Sequence, residues 1–268
     1  MQQSHIEKAH VAQRFAKAHQ SYDAHAIVQK QICQQLMQLI QQYVFARHCS
    51  QTNVTHALEI GCGSGRMTHL LLQHAQIHQF TLNDLYPEIQ QHVSAAAYPA
   101  TQIDWLIGDI EALPLPQRLD LVLSSSALQW MSDFPALMQR VQQSLIPQCY
   151  LCFSTFGAKN LQEIKALTGQ GLNYLTLAEI QNVLNETGFD VVHISESVQT
   201  IHFEHPKAVL QHLKATGVTA SSAKHRWTKQ SLAQFYQDYQ QFSQRNAAGL
   251  SQYTLSYHPI YCIARRRL

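Results

Sequence analysis

The chain has 268 residues, of which 46% are hydrophobic and 13% are charged. This composition can bury a core of ordinary size and excludes disordered, collagen-like and small disulfide-stapled proteins. Nineteen basic and seventeen acidic residues give a net charge of +2, which excludes a strongly basic nucleic-acid binder. We therefore expect one large domain, or one domain with an appendage.

The sequence contains no run of about 18 uncharged apolar residues, and its first residues lack the apolar region of a signal peptide. We therefore expect a soluble, cytoplasmic protein without a membrane partner. Its six cysteines are interpreted as reduced core thiols, because they are too few for a disulfide framework. Its sixteen histidines are scattered outside any metal-binding frame, so no metal site is predicted.

Residues 6–47 repeat apolar side chains every three or four positions, which predicts two amphipathic helices before the first strand. After Val54, short apolar runs alternate with helical stretches. The runs occupy 55–60, 79–82, 103–107, 119–123 and 149–153. This alternation is typical of a parallel sheet with helices on both faces.

A capping box formed by Thr176 and Glu179 predicts a helix that ends near Gly188. Two late strands are predicted around 190–203 and 253–264. Between them, residues 204–250 contain six basic and two acidic residues, a local net charge of +4 in a chain whose remainder carries −2. This segment is predicted to form two helices, one after Pro206 and one capped by Thr228. We interpret it as an insertion and a candidate lid.

The strongest local motif is ALEIGCGSGR at 57–66, a strand that leads into glycines at alternate positions and then a helix. Gly61, Gly63 and Gly65 allow backbone to approach a ligand at a helix N-terminus. Glu59 stands two residues before the first glycine. An acid there favours a cationic ammonium over a pyrophosphate, and so S-adenosylmethionine over NAD.

Two further acids follow the next two predicted strands. Asp84 stands where a carboxylate can accept both hydroxyls of a ribose, and Asp109 where it can accept from an adenine amino group with Ile110 against the ring. Open α/β sheets bind ligands at the carboxyl ends of their strands. Three acids in these places therefore indicate a nucleoside ligand.

With these motifs the chain resembles class I S-adenosylmethionine-dependent methyltransferases from about Val54 onward. The resemblance implies a Rossmann-like fold with a seven-stranded, mostly parallel sheet and an antiparallel last strand. It also implies the cofactor contacts, with the methionine part at Glu59 and the glycine loop, the ribose at Asp84 and the adenine at Asp109. The other implied contacts are Leu85, Ile110 and Ser125.

A closer resemblance, over the full length, is to the malonyl-[acyl-carrier protein] O-methyltransferases of biotin synthesis. Its matching segments are 11–29, 61–67, 108–116, 124–130, 153–164, 213–218 and 253–266. Ser125 stands where these relatives commonly have Asn. The sequence SSSALQW at 124–130 lacks the Asn/Asp-Pro-Pro-aromatic motif of nucleic-acid amino-methylases, which disfavours a base methylase. The resemblance implies methylation of the free carboxylate of malonyl-acyl-carrier protein, or of malonyl-CoA.

Four residues are candidates for the acceptor site. Tyr22 is predicted either to hydrogen-bond the acceptor or to pack, and Trp130 either to wall the pocket or to join the core. Lys214 and Arg226 are the lid cations that can hold the carboxylate, the alternative being two solvated surface charges. A malonyl carboxylate is ionised at pH 7, so no catalytic base is expected.

These interpretations divide the chain into N-terminal helices at 1–52 that cover the active site and a methyltransferase domain at 53–268, with its lid at about 204–250. Two other functions remain open. One is methyl transfer to a small acceptor such as a quinone precursor. The other is noncatalytic binding of S-adenosylmethionine.

Overall fold

The structure, a computed structural model, describes residues 26–47, 53–217 and 227–268. The chain forms two compact units, which are described separately. The sheet unit comprises Val28–Thr155, Leu175–Glu196 and Ile260–Leu268, and the described part of the insert unit falls within Phe156–Tyr174 and Ser197–Pro259. After Val28 the chain therefore leaves the sheet unit twice and returns to it twice.

The described helices and strands follow one another in this order. They are α1 (Ile27–Tyr43), β1 (Asn53–Ile60), α2 (Arg66–His74), β2 (Gln76–Asp84), β3 (Gln102–Ile107), β4 (Leu119–Ser125), α3 (Phe134–Ser144), β5 (Leu145–Phe156), α4 (Gln162–Thr168), α5 (Leu177–Glu186), β6 (Phe189–Glu196), β7 (Gln199–Phe203), α6 (Pro206–Ala215), α7 (Lys229–Asp238), β8 (Ser243–Arg245), β9 (Ser251–Tyr257) and β10 (Pro259–Arg266). Short 3-10 turns lie at Phe45–Arg47, Pro87–Gln91, Ala95–Ala97, Leu128–Trp130 and Tyr239–Phe242.

The sheet unit contains a seven-stranded sheet in the order β3-β2-β1-β4-β5-β10-β6. Strand pairs β1–β2, β1–β4, β2–β3 and β4–β5 are parallel, and β10 runs antiparallel to β6. The prediction of a seven-stranded, mostly parallel sheet is confirmed. All five early strands form at the predicted runs, most of them extended by a few residues.

The two faces of this sheet differ because side chains alternate along each strand. Leu58, Val122, Leu151 and Cys262 point into an apolar cluster that includes residues of α3 and α5. The opposite face meets α1 and α2, since Cys33 of α1 contacts Ser125 and Thr68 of α2 contacts Glu59. Helices therefore cover both faces, as predicted.

The sequence predicted two helices before the first strand. The second is α1, which buries an apolar stripe that includes Ile32, Leu36 and Ile40. The first lies outside the described residues.

The insert unit contains a three-stranded antiparallel sheet in the order β7-β9-β8 together with α4, α6 and α7. The predicted helix starts are confirmed, since α6 begins at Pro206 and α7 is capped by Thr228, whose hydroxyl accepts from the Ser231 N–H at 3.0 Å. Buried aromatic rings form the core of this unit. Tyr239, for example, is fully buried and donates to the Thr254 carbonyl at 2.8 Å.

The prediction of two continuous late strands was wrong. The first is divided into β6 and β7 by Ser197 and Val198, and the second into β9 and β10 by His258. β6 and β10 belong to the large sheet, whereas β7 and β9 belong to the small one. Pro259 has no N–H to donate to a ladder, so it fits the point at which one strand ends and the next begins.

Candidate functional site

The glycine motif forms the turn between β1 and α2. The amide N–H groups of Gly61 and Cys62 both donate to the Asn83 carbonyl, at 3.0 and 2.9 Å. Gly61, Gly63 and Gly65 all have positive φ. A Cβ at Gly61 would lie 2.4 Å from the Ala127 Cβ, whereas a Cβ at Gly63 would meet nothing within 4 Å. The backbone at Gly63 thus borders open space, as a ligand cradle requires.

Glu59 lies near the end of β1 and is only 1% exposed. Its Oε2 accepts a 2.5 Å hydrogen bond from the Thr68 hydroxyl, but its buried Oε1 has no hydrogen-bond partner among the described residues. Because buried polar atoms are nearly always paired, this oxygen indicates a ligand that donates to it. An ammonium group fits that requirement.

Burial raises the pKa of the Glu59 carboxyl from 4.5 to about 8, the Thr68 hydrogen bond opposes the shift, and the Asp84 charge adds to it. Since the folded protein holds this proton up to about pH 8 and the unfolded chain releases it near pH 4.5, the stabilising contribution falls as pH rises through this window. We expect Glu59→Gln to remove that loss. The melting temperature of the ligand-free variant, measured from pH 5 to 8.5, will fall less steeply than that of the unmodified protein.

The control for this prediction is Glu88→Gln, because Glu88 is an exposed acid in the 3-10 turn that follows β2. The melting temperature of that variant is expected to equal that of the unmodified protein at every pH. Parallel curves for Glu59→Gln and the unmodified protein would show that Glu59 is not the buried titrating group.

Asp84 ends β2 and is held by two backbone groups. Its Oδ2 accepts from the Gly63 N–H at 2.9 Å, and its Oδ1 accepts from the Leu85 N–H at 2.7 Å. Burial raises the pKa of Asp84, while these two hydrogen bonds lower it. The carboxylate therefore connects the end of β2 to the glycine turn, and its two oxygens keep further lone pairs for ligand hydroxyls.

Asp109 follows β3 and accepts from the Glu111 N–H at 3.0 Å, while the next residue, Ile110, is buried. The loop is braced from α3, because the Arg140 guanidinium donates to the carbonyls of Ile110 and Glu111 at 2.9 and 2.8 Å and also to that of Leu113. Asp109, Asp84 and Glu59 therefore stand at the same edge of the sheet, on three adjacent strands or the turns that follow them.

Of the remaining predicted site residues, those that the structure describes lie on β4, in the turn that follows it, and in the insert unit. The Ser125 hydroxyl lies 3.3 Å from the Cys33 sulfur and 3.2 Å from the Ser154 hydroxyl. Trp130 is buried in the turn after β4. Lys214 is exposed on α6, in the insert unit. Tyr22 and Arg226 lie outside the described residues.

Several residues of this site were not found from the sequence. Thr68 pairs with Glu59, Asn83 donates to the carbonyls of Leu106 and Gly108 at 2.7 and 3.1 Å, and Arg140 braces the Asp109 loop. Each acts through a contact with residues that lie 9 to 30 positions away in the sequence. The Asn that precedes Asp84 was the one local signal, because it sits at the end of a strand where a side chain can bridge to the next.

Among the described residues, no group of histidine, cysteine and acidic side chains could hold a metal ion, and the five described cysteines are free. No helix in the described part of the chain has the length and hydropathy needed to cross a membrane.

Comparison with known proteins agrees with this geometry. Residues 58–153 match the family model described as a methyltransferase domain. Two solved structures share the fold. One is a putative methyltransferase from Bacillus halodurans. The match covers 88% of this chain and 99% of that one, at 15% identity and a TM-score of 0.61. The other is an N-methyltransferase from Bradyrhizobium japonicum in complex with S-adenosyl-L-homocysteine, where the match covers 87% of this chain and 86% of that one, at 14% identity and a TM-score of 0.52.

The fold and the matched domain define a class I methyltransferase. Within that class, the chain is 46% identical over 263 residues to malonyl-[acyl-carrier protein] O-methyltransferase from Acinetobacter baylyi, covering 97% of this chain and 98% of the relative. The chain belongs to the malonyl-[acyl-carrier protein] O-methyltransferase family.

Proposed function

We propose that this protein transfers a methyl group from S-adenosylmethionine to the free carboxylate of malonyl-acyl-carrier protein, in the cytoplasm and as a step of biotin synthesis. The observation that carries the cofactor is the buried, unpartnered Oε1 of Glu59 beside the open backbone of Gly63. Membership of the family supports the choice of acceptor.

The described residues fit this cofactor. Glu59 would accept from its ammonium, Asp84 from its ribose hydroxyls and Asp109 from its adenine amino group, with Ile110 against the ring. Leu85 and Ser125 remain proposed contacts. When bound, the cofactor supplies a methyl carbon that gains a bond to a carboxylate oxygen as its bond to sulfur breaks, the electron pair remaining on sulfur and no proton moving.

No residue is needed as a general base in this reaction. A malonyl carboxylate is ionised at pH 7 and is already the nucleophile. The protein therefore contributes alignment and exclusion of water, since opposite charges that neutralise each other in the transition state are favoured in a water-poor site. Trp130 and Tyr22 are proposed to form part of that enclosure.

The acceptor's carrier protein is proposed to meet the basic segment at 204–250, which we also propose as the lid. Its described basic side chains are all exposed, namely Lys207, Lys214, Lys229 and Arg245. Carrier proteins present an acidic helix beside the arm that holds the thioester, so complementary charge steers the encounter. Lys214 and Arg226 remain the proposed cations that hold the carboxylate. Malonyl-CoA is proposed as the smaller alternative acceptor.

The test is methyl transfer from labelled S-adenosylmethionine to malonyl-carrier protein, with acetyl-carrier protein as the matched acceptor that lacks a carboxylate. We expect label on the malonyl form alone. A base-labile methyl ester in the product distinguishes O-methylation from transfer to nitrogen or sulfur.

Two further conditions separate the alternatives. Raising salt is expected to raise the apparent KM for malonyl-carrier protein and to leave cofactor affinity nearly unchanged. Absence of label on both carriers, with cofactor binding demonstrated by calorimetry, would refute the proposed acceptor and leave a small-molecule acceptor or noncatalytic binding.

A further inference from the structure

Three hydroxyl side chains form a row across adjacent strands at the carboxyl edge of the large sheet. Ser125 of β4 is in register with Ser154 of β5, and their hydroxyl oxygens are 3.2 Å apart. β5 and β10 are neighbours and run antiparallel, because the Gly157 N–H donates to the His258 carbonyl at 2.8 Å while the Gln148 side chain donates to the Arg266 carbonyl at 3.4 Å. Counting back from the first of these contacts puts Ser154 opposite Tyr261. We call Ser125, Ser154 and Tyr261 the hydroxyl row.

The hydroxyl row lies on the face that α1 covers. Ile260 and Cys262, the neighbours of Tyr261, belong to the apolar cluster on the other face, so Tyr261 points towards the face that carries Glu59 and Ser125. Polar side chains here are unusual, because strands of a parallel sheet that is covered on both faces are normally apolar throughout. Such an exception needs a function or a compensating contact.

Tyr261 has no compensating contact among the described residues. Its side chain is 3% exposed, and its hydroxyl oxygen is buried without a hydrogen-bond partner. On α1, the buried Oε1 of Gln29 is likewise unpaired, one helical turn before Cys33, which contacts Ser125. A buried hydroxyl left unpaired costs stability, so these atoms indicate a polar ligand beneath α1.

Ser154 and Tyr261 are separated by their position from the proposed cofactor contacts, of which Ser125 on β4 is the nearest in strand order. Glu59 lies in β1, Asp84 ends β2 and Asp109 follows β3, whereas the hydroxyl row lies on the other side of β1, on β4, β5 and β10. Neighbouring strands are about 4.8 Å apart. The row therefore begins on the strand next to β1 and continues away from the proposed nucleoside contacts, towards the side of the sheet that they leave to the acceptor.

We propose that the Tyr261 hydroxyl, with Ser154 opposite it, donates a hydrogen bond to the free carboxylate of the methyl acceptor and fixes one of its oxygens while the other is methylated. This inference rests on the proposed function and adds a specificity-determining residue to it. Burial raises the pKa of Tyr261 to about 12, and Cys33 adds to that shift, so the phenol remains a neutral donor. A neutral phenol donates to one carboxylate oxygen and leaves the other oxygen free to attack the methyl carbon.

Ser154 is itself held in place. Its carbonyl and its hydroxyl both accept from the Ser126 N–H, at 3.0 and 3.2 Å. Because its oxygen already accepts a hydrogen bond, its own proton is available to Ser125 or to a ligand. The row therefore presents donors towards the acceptor, as an anionic group requires.

The test is Tyr261→Phe, which removes one oxygen atom and keeps the ring. With saturating S-adenosylmethionine, kcat/KM for malonyl-carrier protein is expected to fall about 10- to 100-fold, as for the loss of a hydrogen bond to a charged group. The Kd for S-adenosylmethionine is expected to change less than about twofold. The melting temperature of the ligand-free variant is expected to stay the same or to rise, since an unpaired buried hydroxyl has been removed.

The matched control is Tyr150→Phe. Tyr150, like Tyr261, is a buried tyrosine. It lies on β5, on the same face as Ser154 but four residues before it and so further from the carboxyl edge. Tyr150→Phe is expected to keep the kcat/KM of the unmodified protein. Equal kcat/KM for Tyr261→Phe and the unmodified protein would overturn the inference and leave the proposed function intact. A fall in melting temperature that accompanies the loss of activity would overturn it in favour of a structural role. If the unmodified protein does not methylate malonyl-carrier protein, the proposed function fails, and the inference fails with it.

Discussion

Replacing Asp84 by alanine is expected to weaken the binding of S-adenosylmethionine by about 1.5 to 3 kcal/mol, the range for hydrogen bonds to a charged group. The carboxylate is fixed by the N–H groups of Gly63 and Leu85, so its free lone pairs are presented at the carboxyl edge in one orientation. Calorimetric titration of the ligand-free protein measures the change directly.

The control for Asp84 is Asp104→Ala. Asp104 is a half-buried acid on the adjacent strand β3, where its carboxylate accepts hydrogen bonds from the side chains of Gln79 and Gln102. Its removal costs a comparable number of hydrogen bonds inside the sheet but is expected to leave cofactor affinity unchanged. Equal affinities for Asp84→Ala and the unmodified protein would show that the ribose is not held at this position.

Local sequence predicted the half of the site built from β1, β2 and β3. A strand that runs directly into a glycine turn, and acids that follow the next two strands, are patterns of neighbouring residues. Parallel strands bring their carboxyl ends to one edge, so Glu59, Asp84 and Asp109 were expected to lie together, and each stands at that edge.

The hydroxyl row was not predicted, because it depends on which strands are neighbours. Ser154 and Tyr261 are separated by more than a hundred residues, and their strands are adjacent only because the chain makes two excursions into the insert unit before it returns as β10. Neither residue stands out locally, since tyrosine and serine in a strand are ordinary. The one local signal is that Tyr261 stands between Ile260 and Cys262. Its polar side chain therefore points to the other face of the strand from those two core residues.

The late strands were wrongly joined for a related reason. Apolar residues continue through 190–203 and through 253–264, and periodicity alone does not show that a strand changes sheets. The one local indication is Pro259, which removes a donor at the point where β9 ends and β10 begins. Proline inside a predicted strand is therefore more informative here than the hydrophobic pattern around it.

Gly63→Ala is expected to weaken cofactor binding strongly while leaving the fold largely intact. The backbone at Gly63 has a φ of 53°, so an alanine there costs about 1 to 2 kcal/mol of left-handed strain. No described atom lies within 4 Å of the added methyl group, which instead occupies the space that the ligand needs. We expect a fall of a few degrees in melting temperature and at least about a tenfold rise in the Kd for S-adenosylmethionine.

Two matched variants separate strain from steric exclusion. Gly249→Ala, in the turn between β8 and β9, introduces the same strain at a φ of 76° and also meets nothing within 4 Å, so it should lower the melting temperature similarly without changing the Kd. Gly61→Ala places its methyl 2.4 Å from the Ala127 Cβ, so overpacking adds about 1 to 3 kcal/mol to the strain and makes it the least stable of the three. If Gly63→Ala and Gly249→Ala bind the cofactor equally well, the open space at Gly63 does not hold the ligand. The order of stability and the order of affinity should therefore differ among these three alanine variants. Of the two that add strain without overpacking, Gly63→Ala alone stands in the proposed ligand cradle.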